Sequence, residues 1–288
     1  MKILNFGSLN IDRVYDVEHF VQPGETIMAQ ALCFYPGGKG LNQSVAAARA
    51  GAKVIHAGAI GVDGDFLAQL LTDAGVDATE LLCVDGPSGH AVIEVNKTGQ
   101  NSIIVFGGAN CCLTEAYIDA MLDRADPGDI VLLQNETNDV ANILRRAKSR
   151  GLLVAFNPSP FPRTPHALPL QCVDLFMINA SEGAQLAEVP VNTQPEALLH
   201  TLADLYPDAS FVLTLGSEGV ICLYQSVRYA HNAYRVNVVD TTAAGDTFCG
   251  YFLAGLCRGE TPEQCLAEAT AASAIAVTRA GAAPSIPV

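Results

Sequence analysis

Val239-Asp240-Thr241-Thr242-Ala243-Ala244-Gly245-Asp246-Thr247-Phe248 sets three small residues directly ahead of an acid and an apolar run. Phe248, Phe252, Gly255 and Leu256 follow the helical period, so the spacing predicts a helix over about 244–258 that opens at the small residues. The first turn of a helix has unpaired N–H groups and the positive end of the helix dipole. Small side chains let an oxyanion approach those amides. Asp246 stands beside that position, placed to take a proton from an attacking hydroxyl. Taken alone, Asp246 reads better as an acid favoured at a helix start, and the segments around it are what turn the reading toward chemistry.

Outward from this helix the chain alternates. Apolar runs at 3–6, 54–59, 130–133, 152–156, 175–178 and 211–215 predict buried strands. Helical patterns at about 39–50, 65–74, 114–124, 139–149 and 195–205 separate them, and a last helix is expected over 262–280. Such alternation predicts an α/β fold, a doubly wound and mostly parallel sheet sandwiched by helices, with a late hairpin near 219–227. Two regions break the pattern: strand-like runs around Pro23-Gly24, over about 13–33, and a hairpin within about 88–106. They predict a small protruding β-sheet lid on a single domain spanning 1–288.

Half of the residues are hydrophobic and 16% are charged, which fits a core-rich chain and not a disordered one. A formal net charge of -14 argues against a nucleic-acid partner, which needs a basic face. It leaves nucleotide binding open, because amides and metal ions hold phosphate locally. The nine cysteines include no C-x-x-C pair, so neither a zinc site nor a disulfide framework is supported. They predict buried thiols in a reducing cytoplasm. The apolar start is too short for a signal peptide, and no segment is long enough to span a bilayer, so a cytoplasmic protein without a membrane partner is expected. Lys39 lacks the G-x-x-x-x-G-K-[ST] frame, and Gly58, Gly61 and Gly64 do not form G-x-G-x-x-G. A P-loop NTPase and a Rossmann dehydrogenase are therefore disfavoured.

Several segments occur in order: Gly7-Ser8-Leu9-Asn10-Ile11-Asp12, Gly37-Gly38-Lys39-Gly40-Leu41-Asn42-Gln43, Gly107-Gly108-Ala109-Asn110, Asn157-Pro158 and Asn179-x-x-Glu182. Thr214-Leu215-Gly216, the 240–246 signature and Val277-Thr278-Arg279-Ala280-Gly281-Ala282 follow. Together, over nearly the whole chain, they resemble the ribokinase branch of the PfkB family of carbohydrate kinases.

The resemblance implies a ribokinase-like fold and an ATP-dependent sugar kinase with Asp246 as catalytic base. The amides of Ala243, Ala244, Gly245 and Asp246 match the family's anion hole. Its commonest form has Gly where Ala243 stands, and Ala there favours the ribokinase branch. Asn10, Asp12, Gly38, Lys39, Asn42 and Glu136 match the sugar site, a donor and acceptor set suited to a polyhydroxylated ring. Asn179 and Glu182 match a motif tied to Mg2+ and phosphate, although on their own they read as a helix cap and a first-turn acid. Thr214 and Gly216 match positions lining the nucleotide. Asp240 and Thr242, with the loop ending at Ser285, match a monovalent-cation site, which implies K+.

D-ribose, converted to ribose 5-phosphate, is the leading substrate. Fructose, deoxyribose and adenosine are alternatives within the class. A non-catalytic sugar-binding sensor is the alternative outside it, disfavoured by an intact Asp246. Apolar lid residues, Ala91, Ile93, Ile103 and Val105, are expected on an exposed face that joins two copies as a homodimer.

Overall fold

The computed structural model describes residues 1–162 and 164–288. Strands β1 (Ile3–Phe6), β2 (Asn10–Asp16) and β3 (Ala31–Gly37) precede helix α1 (Lys39–Arg49). Next come β4 (Val54–Ala57), β5 (Ala59–Ile60), α2 (Asp65–Asp73), β6 (Leu82–Cys83), β7 (Gly89–Val95) and β8 (Asn101–Phe106). The middle of the chain holds α3 (Glu115–Leu122), β9 (Ile130–Gln134), α4 (Val140–Ser149), β10 (Leu153–Asn157), β11 (Leu175–Asn179), α5 (Ala180–Leu186), α6 (Pro195–Leu205) and β12 (Ser210–Thr214). β13 (Val220–Tyr224), β14 (Val227–His231), α7 (Ala244–Arg258) and α8 (Pro262–Ala276) complete it.

The main sheet has the order β14-β13-β12-β11-β10-β9-β1-β4. Its pairs are parallel except β12–β13 and β13–β14. Successive strand residues face opposite sides, so Ile3 packs with Leu41, Leu67 and Phe252 from α1, α2 and α7, and Leu4 packs with Ile118, Ile143 and Leu199 from α3, α4 and α6. The doubly wound, mostly parallel α/β sandwich expected from the alternation is what forms. Strand order reverses at β1, with β9 on one side and β4 on the other. Ligands of such sheets bind beyond the carboxyl ends of the strands at this switch point.

Helix α7 is buried from Asp246 through Gly255, on all sides and not along one stripe. It lies between α1 and α8. A β-carbon on Gly250 would meet the Ala46 β-carbon at 2.4 Å, and one on Gly255 would meet Cys265 Sγ at 2.7 Å. Glycine at both positions sets how closely the neighbouring helices approach.

A second sheet has the order β3-β2-β7-β8, with β2 parallel to β7 and the outer pairs antiparallel. It matches the expected small sheet: β2 begins earlier and β3 ends later than the sequence indicated, and β7 and β8 lie within the expected 88–106. One expectation about its surface fails: Ala91 is buried. Ile103 and Val105 on β8 are exposed as expected and Ile93 is half-buried, while Leu32, Phe34 and Tyr35 on β3 and Ile104 and Phe106 on β8 are further exposed apolar residues.

Two other expectations need correction, and one short helix goes beyond those the periodicity named. α8 stops at Ala276, not Ala280, because the Val277 carbonyl accepts the Val239 and Asp240 amides (2.8 and 3.2 Å) and the chain turns away. α5 escapes the periodicity, being only one capped pair of turns. The cysteines are all free, but Cys33, Cys83, Cys111 and Cys112 are exposed, and burial describes only Cys222, Cys249 and Cys265. Among the described residues, no helix is long and apolar enough to cross a membrane.

Candidate active site

The site is assembled by two close backbone approaches. A β-carbon on Gly40 would stand 2.3 Å from the Gly7 α-carbon, so the start of α1 sits directly on the loop that ends β1. Gly38 caps α1 with φ 94, a left-handed conformation that glycine adopts without strain. This turn brings Lys39, Asn42 and Gln43 to the carboxyl edge of the sheet. The Gly250–Ala46 contact then fixes α7 against α1. One turn earlier on each helix, Asp246 meets Asn42 and Gln43.

Asp246 is buried, and both of its oxygens are held. Asn42 Nδ2 donates to Oδ2 at 3.0 Å, and Gln43 Nε2 donates to Oδ1 at 2.9 Å. The Asn42 Oδ1 has no partner among the described residues. Gln43 lies in the Gly37-to-Gln43 motif, yet its sequence gave it no role. Its bond to Asp246 spans 203 positions and leaves no local signal.

α7 begins at Ala243, whose φ of 59 is left-handed, without a side-chain cap. The Ala244 amide donates to Thr241 O at 3.2 Å. The Gly245 and Asp246 amides have no backbone or side-chain acceptor among the described residues. Of the four amides expected to form an anion hole, Ala244's is thus already engaged, whereas those of Gly245 and Asp246 are unspent. Nothing lies within 4 Å of where a Gly245 β-carbon would stand.

A cavity of about 360 Å3 opens in front of these amides. Lys39, Asn179, Glu182, Thr214, Gly216, Ala243, Gly245 and Asp246 all line it. Asn179 and Glu182 form a capping box: Glu182 N donates to Asn179 Oδ1 (2.9 Å) and Asn179 N donates to Glu182 Oε2 (3.0 Å). The cap reading of these two residues is therefore correct, and Asn179 Oδ1 is spent on it. Glu182 lines the cavity and its Oε1 takes no part in the capping box, which suits Mg2+, an ion that takes few protein oxygens beside phosphates and waters.

Asn10, Asp12, Gly38, Asn42 and Glu136 lie outside this cavity and join it through Lys39 and Asp246. Glu136 Oε2 accepts from the Lys39 amide at 3.0 Å and from Ser8 Oγ. Asn10 Oδ1 accepts from Asn110 Nδ2 at 2.8 Å, which anchors it to the segment after β8. The Asp12 carboxyl lies over Gly37, where a β-carbon would stand 2.2 Å from Oδ2. Burial, and next the charge of Glu136, push the Asp12 carboxyl up to about 7. Burial likewise raises Glu136, against its bonds from Ser8 and Lys39. The Asp246 carboxylate holds Lys39 above the ordinary lysine range, so its ammonium stays charged.

Asp240 Oδ1 accepts from Thr242 N (2.9 Å) and Thr242 Oγ1 (2.6 Å), and Oδ2 accepts from Gly281 N (2.9 Å). Burial opposes its charge, but these bonds outweigh it and hold the carboxyl below its usual range. Asp240 thus ties the loop before α7 to the loop after α8, and an anionic group between two loops suits a monovalent cation. Ser285 is buried and donates to Ala282 O at 2.8 Å, and among the described residues no hydrogen bond joins it to Asp240.

The pfkB family carbohydrate kinase model matches residues 1–288. A ribokinase of Haemophilus influenzae is 35% identical over 98% of this chain and 94% of its own length. An Arabidopsis thaliana ribokinase solved with ribose and ATP superposes with a TM-score of 0.87 at 30% identity, covering 99% of this chain and 95% of that one. A Cryptococcus neoformans ribokinase solved with ADP gives 0.85 at 32% identity, over 100% and 97%. A match of the family model over every residue, with relatives and folds in agreement along the whole chain, has one consequence: this chain belongs to the pfkB family of carbohydrate kinases.

Proposed function

We propose that this protein is an ATP-dependent kinase that phosphorylates the terminal hydroxyl of D-ribose to give ribose 5-phosphate. One observation carries the reading most directly. A buried carboxylate, Asp246, opens a helix whose next unspent amides face a cavity large enough for a nucleotide's phosphates. The relatives named ribokinase, one of them solved with ribose and ATP, supply the choice of sugar.

Asn10, Asp12 and Asn42 bind and orient the ring through hydroxyl hydrogen bonds, and Asn42 Oδ1, unpartnered and buried, is a ready acceptor. Glu136 acts from behind, holding the Lys39 turn in place. Asp246 takes the proton of the terminal hydroxyl as that oxygen bonds to the γ-phosphorus of ATP. The bond from phosphorus to the bridging oxygen breaks, and ADP leaves. The amides of Gly245 and Asp246 and the Lys39 ammonium stabilise the charge on the transferring group. Thr214 and Gly216 line the nucleotide side. Glu182, with ATP itself, would hold Mg2+, which would neutralise phosphate charge, and Asp240 and Thr242 would hold K+ beside the start of α7.

We read 1–288 as one domain whose small sheet closes over the sugar and excludes water, which suppresses ATP hydrolysis. The exposed apolar face of that sheet supports a homodimer. Nine free cysteines fit a reducing cytoplasm.

The test is ADP production with Mg·ATP and potassium across a panel of pentoses, hexoses and nucleosides. D-ribose is expected to give the highest kcat/KM. Preference for fructose, deoxyribose or adenosine would overturn the substrate, and sugar binding without turnover would favour a sensor. Replacing potassium with choline is expected to lower the rate.

A further inference from the structure

Behind Asp246 runs a buried chain of polar side chains that the phosphoryl-transfer chemistry does not itself require. Gln43 Nε2 donates to Asp246 Oδ1 (2.9 Å) and to Asn157 Oδ1 (3.1 Å). Gln43 Oε1 accepts from Gln134 Nε2 at 2.7 Å. Gln134 Nε2 also donates to Asn5 Oδ1 at 3.1 Å, and Asn5 Nδ2 donates to Ser44 Oγ and to Gly40 O, both at 2.8 Å. Ser44 Oγ meets His56 Nδ1 at 2.8 Å, and His56 Nε2 meets Gly7 O at 3.1 Å.

Only one set of amide orientations satisfies this chain. Backbone carbonyls accept and never donate. Gly7 O therefore requires the hydrogen of His56 on Nε2. Burial lowers His56 to about 4, so the ring is neutral and Nδ1 accepts from Ser44. Gly40 O requires the Asn5 amide nitrogen on its side, which turns Asn5 Oδ1 toward Gln134. At the other end, Asn157 Nδ2 donates to Met177 O at 2.7 Å, which leaves Asn157 Oδ1 to accept. Gln43 is thus pinned from both directions with its amide hydrogens toward Asp246. A flipped Gln43 would set oxygen against carboxylate.

Gln134 Oε1 is buried and has no partner among the described residues. An orphaned acceptor costs stability, so packing alone does not explain a glutamine there. Its observable effect is to hold Gln43.

We propose that Gln43, locked by Gln134, is a positioning residue for phosphoryl transfer: it fixes the rotation of the Asp246 carboxylate so that the lone pairs left free face the sugar hydroxyl. This rests on Asp246 being the base. Gln134 touches neither Asp246 nor the cavity and acts only through Gln43.

The experiment is steady-state kinetics with Mg·ATP and ribose for Gln43→Met, Gln134→Leu and the double variant, with Asp246→Asn alongside. Gln43→Met keeps the volume and removes both donors. Its kcat is expected to fall roughly 10- to 100-fold, with both KM values changed less than about threefold, as for a misplaced reacting group. Gln134→Leu is expected to lower kcat less, and the double variant to match Gln43→Met, because the two act as one unit. An unchanged kcat, losses that add, or a rise in KM with kcat intact would overturn the proposal. Should Gln43→Met not fold, Gln134→Leu decides alone: kcat lost at constant KM supports the proposal, and kcat kept overturns it. Turnover surviving in Asp246→Asn would instead defeat the assignment of the base. An inactive Asp246→Asn beside fully active glutamine variants would defeat the positioning role only.

Discussion

Gly250 of α7 lies so close to Ala46 of α1 that a β-carbon built on it would stand 2.4 Å from the Ala46 β-carbon. This contact sits one helical turn behind the meeting of Asp246 with Asn42 and Gln43. Helix spacing and the geometry of the base are therefore a single quantity. Gly250→Val is expected to force the helices apart and to destabilise the protein by about 1–3 kcal/mol. Activity should fall further than stability explains. Chemical denaturation beside kcat in the still-folded variant checks this, and activity tracking only the folded fraction would contradict it.

Ala243 carries the opposite kind of strain. Its φ of 59 is left-handed, and there is no cap to compensate. A β-carbon in that region costs roughly 1–2 kcal/mol, part of which glycine's greater unfolded-state freedom returns. Ala243→Gly is expected to stabilise the protein by about 0.5–1 kcal/mol and to leave turnover in place. A lower denaturation midpoint would show that Ala243 is not strained.

Asp12 gives the site a pH dependence. Its carboxyl is raised from 3.8 to about 7 in the folded protein. The stability that protonation lends is fully present below the unfolded value and is lost as pH rises through about 7. The ligand-free protein should therefore melt lower at pH 8 than at pH 5. Sugar hydroxyls donate to the ionised form, so affinity should move the other way, weakening about tenfold from pH 8 to pH 6. Asp12→Asn is expected to flatten both curves. Calorimetric titration across this range measures the effect, and a flat wild-type affinity would contradict it.

Much of this was legible in the sequence. α6 and α7 begin and end where periodicity places them, with proline in the first turn of α6 and glycine closing α7 as local punctuation. What failed was decided at a distance. The end of α8 follows from Val239 and Asp240 bonding to Val277 O. The burial of Ala91 could not be read because β7 and β8 carry apolar residues on both faces, so alternation does not say which face is covered. Asp246 was legible only from its turn together with the other motifs, and Gln43 and Gln134, which are hydrogen-bonded behind it, become neighbours only once α1, α7 and β9 are in place.

The small sheet yields a prediction about assembly. Phe34 on β3 and Ile104 on β8 are 58% and 69% exposed, an apolar face without cover in one chain. Phe34→Asp with Ile104→Lys is expected to turn a dimer into a monomer in light scattering. A 30.2 kDa mass for the unaltered protein would contradict the dimer.

The most direct test of the account is Asp246→Asn, assayed for turnover and, by calorimetry, for binding of ribose and of a non-hydrolysable ATP analogue. Asparagine keeps the size of the side chain and loses the base. Turnover is expected to fall by a factor on the order of 10²–10⁴, with both ligands bound nearly as tightly as before. Turnover close to that of the unaltered enzyme, or binding lost in step with it, would contradict the role of Asp246.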